Sequence, residues 1–234
     1  MNEDVAIRRG IITRVVQILI TVLIFGLCLF LSAWKMDWVM AWVYLGVYAA
    51  GVVFNTSVIL HLDPELVAER SKLITPDTKK WDLLLARYVS LYGPMSILIV
   101  AGLDEGRGWQ PKAPPALQFG ALALLVVGSL LVTWSMASNH FFAGFVRIQK
   151  ERGHTVASGG PYQYVRHPGY LGIGVHYLGT AFFLGSVWAL IPAVVAICVL
   201  ILRTTLEDRT LQMELEGYRE YTQRVRWRLV PGLW

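Results

Sequence analysis

The sequence predicts an all-α polytopic membrane protein with about six transmembrane helices, five being the alternative count. Of its 234 residues 55% are hydrophobic, and the mean hydropathy is +0.50, which is far more apolar than a soluble domain. Apolar runs near the roughly 20 residues that a helix needs to cross a bilayer recur along the whole chain. Only 16% of the residues are charged, and these lie mostly between the runs, as expected for loops outside a membrane.

Four apolar runs precede the polar segment 139–169, and one longer run follows it. The fifth run is too long for one crossing and is broken at Gly185-Ser186, so we predict a helical hairpin that supplies spans five and six. The first run lacks a cleavage site of small residues, which indicates a retained span. We expect a single membrane domain, residues 1–234, with a four-span part (1–137) and a C-terminal part (138–234). The predicted runs are 15–33, 38–60, 81–103, 116–137 and 170–202.

The basic residues predict the topology. With the N-terminus inside and six spans, all but three of the 21 Lys and Arg residues are cytoplasmic, as the positive-inside rule requires. The three exceptions are Lys35, Arg107 and Lys112. We therefore expect both termini cytoplasmic and membrane lipids as surroundings. Because topology explains the basic excess, no nucleic-acid partner is expected.

Polar residues concentrate at residues 154–172, between two strongly apolar segments. Burying histidine, tyrosine and arginine near lipid is costly unless a site uses them. The segment 139–169 links spans four and five, and the segment 203–234 follows span six. Both emerge at the same face, so we expect one pocket on the cytoplasmic side, built from the C-terminal third. A capped helix start with interfacial Tyr and His residues is the simpler alternative.

Two local patterns refine this pocket. His167 precedes Pro168, so span five is expected to begin near Pro168 or Gly169, leaving free amide groups that could hold a ligand carboxylate. Arg203 and Glu207 are four residues apart and share a helix face, although an ordinary surface ion pair has the same spacing. The tail that ends at Trp234 is amphipathic, and we expect it to lie on the membrane surface or to cap the pocket.

The remaining histidines and both cysteines are interpreted as structural, and no metal-ligand spacing occurs. His176 falls within span five, where it could line the core. These residues are His61, His140, His176, Cys28 and Cys198.

Three motifs in residues 138–234 resemble a known family. They are Ser138-Asn-His-Phe-Phe, Gly160-Pro-Tyr-x-x-Val-Arg-His-Pro-x-Tyr170, and Arg203-x-x-x-Glu207 followed by Gly217-Tyr-x-x-Tyr221. With them the chain resembles integral-membrane methyltransferases related to isoprenylcysteine carboxyl methyltransferase and the phospholipid methyltransferases.

The resemblance implies S-adenosylmethionine as cofactor and a lipophilic small molecule or lipid-modified substrate from the bilayer as acceptor. It implies catalytic roles for Arg203 and Glu207, with Arg203 and Asn139 facing the substrate. The residues implied to contact the cofactor are Gln149, His154, Thr155, Val156, Ala157, Tyr162, His167, Pro168, Gly169, Tyr170 and Glu207.

The chemistry depends on the acceptor. A carboxylate needs no general base, and Arg203 would orient it with two hydrogen bonds. An amine must be neutral to react, which makes Glu207 or His167 a candidate base. One alternative function is an NADPH-dependent sterol-type membrane reductase, against which counts the absence of an evident basic cluster for a 2′-phosphate. The other is a non-catalytic membrane protein with the same fold.

Overall fold

The computed structural model describes residues 3–72 and 74–234, with side chains described from residue 8 onward. Within these residues there are nine α-helices and no strand; α4 continues through one π-helical turn, Tyr88–Tyr92, into α5. Single 3-10 turns lie at Lys150–Arg152 and Gly160–Gln163. The helices are α1 Glu3–Ala33, α2 Val39–Leu62, α3 Pro64–Ser71, α4 Asp82–Arg87, α5 Gly93–Arg107, α6 Pro115–Ala137, α7 Pro168–Phe183, α8 Leu190–Glu214 and α9 Tyr218–Arg224.

Five helical segments are long and apolar enough to cross a membrane: α1 from Arg8, α2, α4 with α5, α6 and α8. Their outer faces are apolar and exposed, as at Leu19 (64%) and Phe119 (70%). The predicted all-helical membrane fold is therefore confirmed. The predicted hairpin is present as α7 and α8, but α7 has only 16 residues, about 24 Å of helix against a hydrocarbon core of about 30 Å. Length and composition thus give five candidate spans, because α7 with its 16 residues is too short to be one of them.

The long helices alternate in direction, which separates two ends of the bundle. At one end, called the far end, Lys35 bonds Glu105 at 3.3 Å, and the Ala113 amide donates to the Gly185 carbonyl at 3.0 Å. The other end, called the basic end, contains the start of α1, all of α3, residues 138–167 and α9. The three basic residues predicted to lie apart from the others are at the far end, as the sequence indicated.

Glycines let α6 and α7 pack at backbone contact. A Cβ added to Gly128 would lie 2.7 Å from the Gly172 carbonyl oxygen, and one added to Gly172 would lie 2.7 Å from that of Gly128. Small residues allow such close approach of membrane helices. The contact holds the first turns of α7 beside the basic end of α6, where the polar segment begins.

The C-terminal tail packs back on the polar segment. The Arg166 amide donates to the Trp227 carbonyl at 2.9 Å, and the His167 amide donates to the Arg228 carbonyl at 2.9 Å. The tail therefore lies against the loop that precedes α7.

Candidate functional site

A cavity of about 390 Å³ opens at the basic end and reaches between α1, α2, α6 and α7. Most residues that the sequence predicted for the site border it. They come from residues 139–170, from α7 and from the last turns of α8, which the fold brings together. These lining residues are Asn139, His154, Thr155, Val156, Ala157, Tyr162, His167, Gly169, Tyr170, Arg203 and Glu207.

Two predicted cofactor contacts, Gln149 and Pro168, do not border the cavity. Gln149 is fully buried; its Nε2 donates to the Phe141 carbonyl at 2.8 Å, and its Oε1 accepts from Arg152 at 2.7 Å. The backbone N–H of Gln149 donates to His154 Nδ1 at 3.2 Å. Gln149 thus supports the loop that carries His154, and buried Pro168 begins α7.

Asp208 organises the polar segment and the tail. Its side chain is fully buried, and Arg166 grips it with two hydrogen bonds of 2.7 and 2.9 Å. Arg228 and Tyr218 donate to it at 2.9 and 3.1 Å, and His167 Nε2 lies 3.3 Å away. This carboxylate therefore joins α8, the loop before α7, and the C-terminal tail.

Arg203 does not pair with Glu207. Its Nε and Nη2 donate to the two carboxylate oxygens of fully buried Asp82 at 2.7 and 2.9 Å, and Nη2 also donates to the Gly144 carbonyl at 2.9 Å. Its guanidinium lies 5.2 Å from the centre of the Tyr170 ring. The alternative of a surface ion pair between Arg203 and Glu207 is therefore wrong: Arg203 is 5% exposed and bound elsewhere.

Glu207 faces the cavity beside Tyr170, whose hydroxyl donates to it. The Tyr170 ring is stacked on His167, with centroids 5.7 Å apart and an angle of 3° between the planes. Glu207, Tyr170 and His167 thus form one wall that offers a carboxylate and two flat rings to a ligand.

The prediction that free backbone amides at the start of α7 could hold a ligand carboxylate is wrong for two of these amides. Tyr170 and Leu171 donate to the His167 carbonyl at 3.1 and 3.2 Å, and proline has no amide hydrogen. The Phe142 ring also approaches Gly169, where an added Cβ would lie 2.7 Å from it. The carbonyl of His167, the residue before the helix, thus accepts from both amides.

His154 and Tyr162 form another part of the cavity wall. The His154 ring stacks on Phe141 with centroids 4.4 Å apart. Burial, reinforced by the charges of Arg147 and Arg152, lowers the pKa of His154 to about 4, so the imidazole is neutral at pH 7. Burial raises the pKa of Tyr162.

The deep part of the cavity is mostly apolar, with a few polar groups between the helices. His176 lies there: its Nδ1 is 3.4 Å from Ser129 Oγ and from the Leu125 carbonyl. Among the described residues no partner bonds its buried Nε2. The sequence interpretation of His176 as purely structural missed that it borders the cavity.

Sequence reasoning also missed the buried carboxylates Asp82 and Asp208, which hold the cavity-lining residues Arg203 and Arg166. Asp82 carried a weak signal, a lone acid where an apolar run begins. Asp208 stood beside Glu207 on the same helix, but nothing in the spacing revealed its partners.

The fold and the cavity together define a helical membrane protein in which one cavity joins polar loops to the apolar space between the helices. Residues 117–216 match the family model described as phospholipid methyltransferase. The predicted resemblance to membrane methyltransferases is thus confirmed over residues 117–216. The match covers α6 to α8 and leaves α1 to α5 outside. A search of curated proteins found no match to the chain.

Proposed function

We propose that this protein transfers a methyl group from S-adenosylmethionine to a lipophilic acceptor that reaches the cavity from the bilayer. The observation that carries the proposal is the single cavity that connects the His154–Tyr162 wall, Glu207 and Arg203 with the apolar space between α1, α2 and α7. Such a cavity accommodates a polar ligand at the basic end and an apolar one from the membrane.

The residues fit the chemistry of the cofactor. When bound, S-adenosylmethionine supplies a methyl group on a cationic sulfonium. Glu207 provides a negative charge and acceptor oxygens for amino or ribose groups, and the stacked rings of His167 and Tyr170 border the same cavity. Neutral His154 adds no repelling charge. The segment 154–157 forms the adjoining part of the wall. Methyl transfer requires alignment and exclusion of water more than acid–base groups.

On the acceptor side, Arg203 is the central group. Asp82 and the Gly144 carbonyl fix its guanidinium, so its charge has a defined position at the cavity. For a carboxylate acceptor, this charge orients the reacting oxygen and no base is needed. For a lipid amine, a proton must leave, and the Glu207 carboxylate is the nearest acidic group of the wall to accept it.

We further propose that the basic end, with both termini, faces the cytosol. The concentration of all but three of the 21 Lys and Arg residues at that end supports this orientation. The cofactor would then enter from the cytosol.

Binding of the two candidate cofactors to detergent-solubilised protein tests the function. Calorimetry should detect S-adenosylmethionine but not NADPH. Glu207→Gln should weaken binding about tenfold or more, since a hydrogen bond to a charged group is lost. Glu214→Gln, on the same helix but exposed and paired with Lys79, is the matched control and should bind like the parent.

Binding of NADPH alone would favour the reductase, and binding of neither cofactor would favour a non-catalytic protein. The acceptor is then identified from the labelled product after native membranes are incubated with methyl-labelled S-adenosylmethionine. A labelled ester would indicate a carboxylate, and a labelled amine a lipid amine.

A further inference from the structure

Two arginines outside the family-matched residues border the cavity. Arg14 lies in the first candidate span, and Arg70 lies near the end of α3. Both are partly buried and line the same cavity as Arg203. A charged side chain within a membrane span is expensive and usually serves a function.

Neither arginine forms an ion pair with a described carboxylate. Arg70 Nη1 donates to the Phe142 carbonyl at 3.3 Å, and its guanidinium lies 5.3 Å from the Phe142 ring centre. Arg14 Nη1 lies 3.4 Å from Gln17 Oε1. The remaining hydrogen-bonding capacity of two guanidinium groups, five N–H each, is therefore largely open.

Other buried arginines at the basic end are paired, which makes the contrast informative. Arg147 bonds Glu69 and Glu151, Arg166 bonds Asp208, and Arg203 bonds Asp82. A buried charge normally requires such a partner. All five arginines line the cavity, and the described carboxylates pair with these three but not with Arg14 or Arg70.

The charges also act on one another. Burial, together with the charges of Arg14 and Arg203, lowers the pKa of Arg70 to about 9. An anion in this part of the cavity would relieve both the repulsion and the loss of hydration. This part of the cavity lies at the basic end of the bundle, beside the start of α1 and the end of α3.

We propose that Arg14 and Arg70 form a binding site for the anionic oxygen group, phosphate or carboxylate, of the lipid acceptor. Guanidinium groups suit both anions because their N–H donors match two oxygens at once. That the bound lipid is the methyl acceptor rests on the proposed function, but the anion site itself can be tested without methyl transfer.

The test measures lipid binding by native mass spectrometry of the purified full-length protein, with three probes. Dioleoylphosphatidylethanolamine carries a phosphate, oleic acid a carboxylate, and dioleoylglycerol neither. The variants are Arg14→Gln, Arg70→Gln, the double variant, and Arg9→Gln, an exposed arginine on the same helix as Arg14, as control. Circular dichroism and elution volume establish that each variant is folded.

The parent and the control should retain an anionic probe more strongly than dioleoylglycerol. The double variant should bind that probe about tenfold or more weakly, because charge-assisted bonds are lost, and should bind dioleoylglycerol unchanged. Selective loss of the phospholipid identifies phosphate as the anion, and selective loss of oleic acid identifies carboxylate. If the double variant does not fold, the single Arg70→Lys variant should show a smaller loss of the same selectivity.

Equal binding of all probes by parent and double variant would overturn the proposal. So would an unchanged lipid preference with weaker S-adenosylmethionine binding, since the arginines would then hold the cofactor carboxylate. Failure of the proposed function looks different: the lipid selectivity would persist in a protein that binds no S-adenosylmethionine.

Discussion

Replacing Asp208 with asparagine should cost more stability than replacing any exposed carboxylate of α8. The side chain is 0% exposed and receives two hydrogen bonds from Arg166, at 2.7 and 2.9 Å, and one from Arg228 at 2.9 Å. Asparagine keeps the size but removes the charge and turns an N–H₂ group towards these donors. The two arginines would be left without their counter-charge.

The magnitude follows from the burial. Arg166 is 6% exposed, and breaking a buried ion pair by removing one partner costs about 3–5 kcal/mol. Arg228 is more exposed and should add little. The loss is large against the typical stability of about 5–15 kcal/mol for a folded domain.

The free energy of unfolding in detergent micelles measures this effect, with Glu214→Gln as control. Glu214 pairs with Lys79 at 2.7 Å, but the two side chains are 40% and 28% exposed, so the control should lose less than about 1 kcal/mol. Limited proteolysis should also cleave the tail faster in Asp208→Asn, because the tail residue Arg228 loses its counter-charge. Equal unfolding free energies for the two variants would refute the assignment of Asp208 as the centre of this network.

Three further predictions concern Arg203, His154 and the topology. Arg203→Lys, which cannot hold both oxygens of Asp82, should lower turnover about tenfold or more while the S-adenosylmethionine dissociation constant stays unchanged; a parallel loss of cofactor affinity would contradict the separation of the two roles. Because the pKa of His154 is about 4 when folded against 6.5 as a free side chain, the unfolded chain binds more protons between these values, so stability should fall as pH drops from 6.5 towards 4. His154→Gln should reduce that fall in unfolding free energy, and an identical pH profile would argue against a buried neutral imidazole. Cysteines introduced at Lys79 and Lys112, after both native cysteines are replaced, should react with an impermeant label from opposite sides of the membrane, whereas labelling from one side would exclude the alternating arrangement.

The membrane fold could be predicted from the sequence because it depends on local composition. A run of about 20 apolar residues has few stable states other than a helix in lipid, and α1, α2 and α6 follow from such runs directly. The pocket could also be predicted, since segments 139–169 and 203–234 must emerge at one face when two crossings separate them. Where the runs were broken by Gly and Pro, as around α7, the length of the helix was less certain, and 16 residues fall short of a full span.

Hydropathy and charge were enough to predict a helical membrane protein with a polar segment in its C-terminal third, and the motifs there indicated the resemblance to membrane methyltransferases. Which charges neutralise one another became clear from the packing of the folded chain. Arg203 and Glu207 share a helix face, yet Arg203 pairs with Asp82, 121 residues away in the chain, and Asp208 collects Arg166 from 42 residues away. Such pairs depend on how whole helices pack, since a buried guanidinium takes the carboxylate that the fold brings within reach, and no local periodicity encodes that choice.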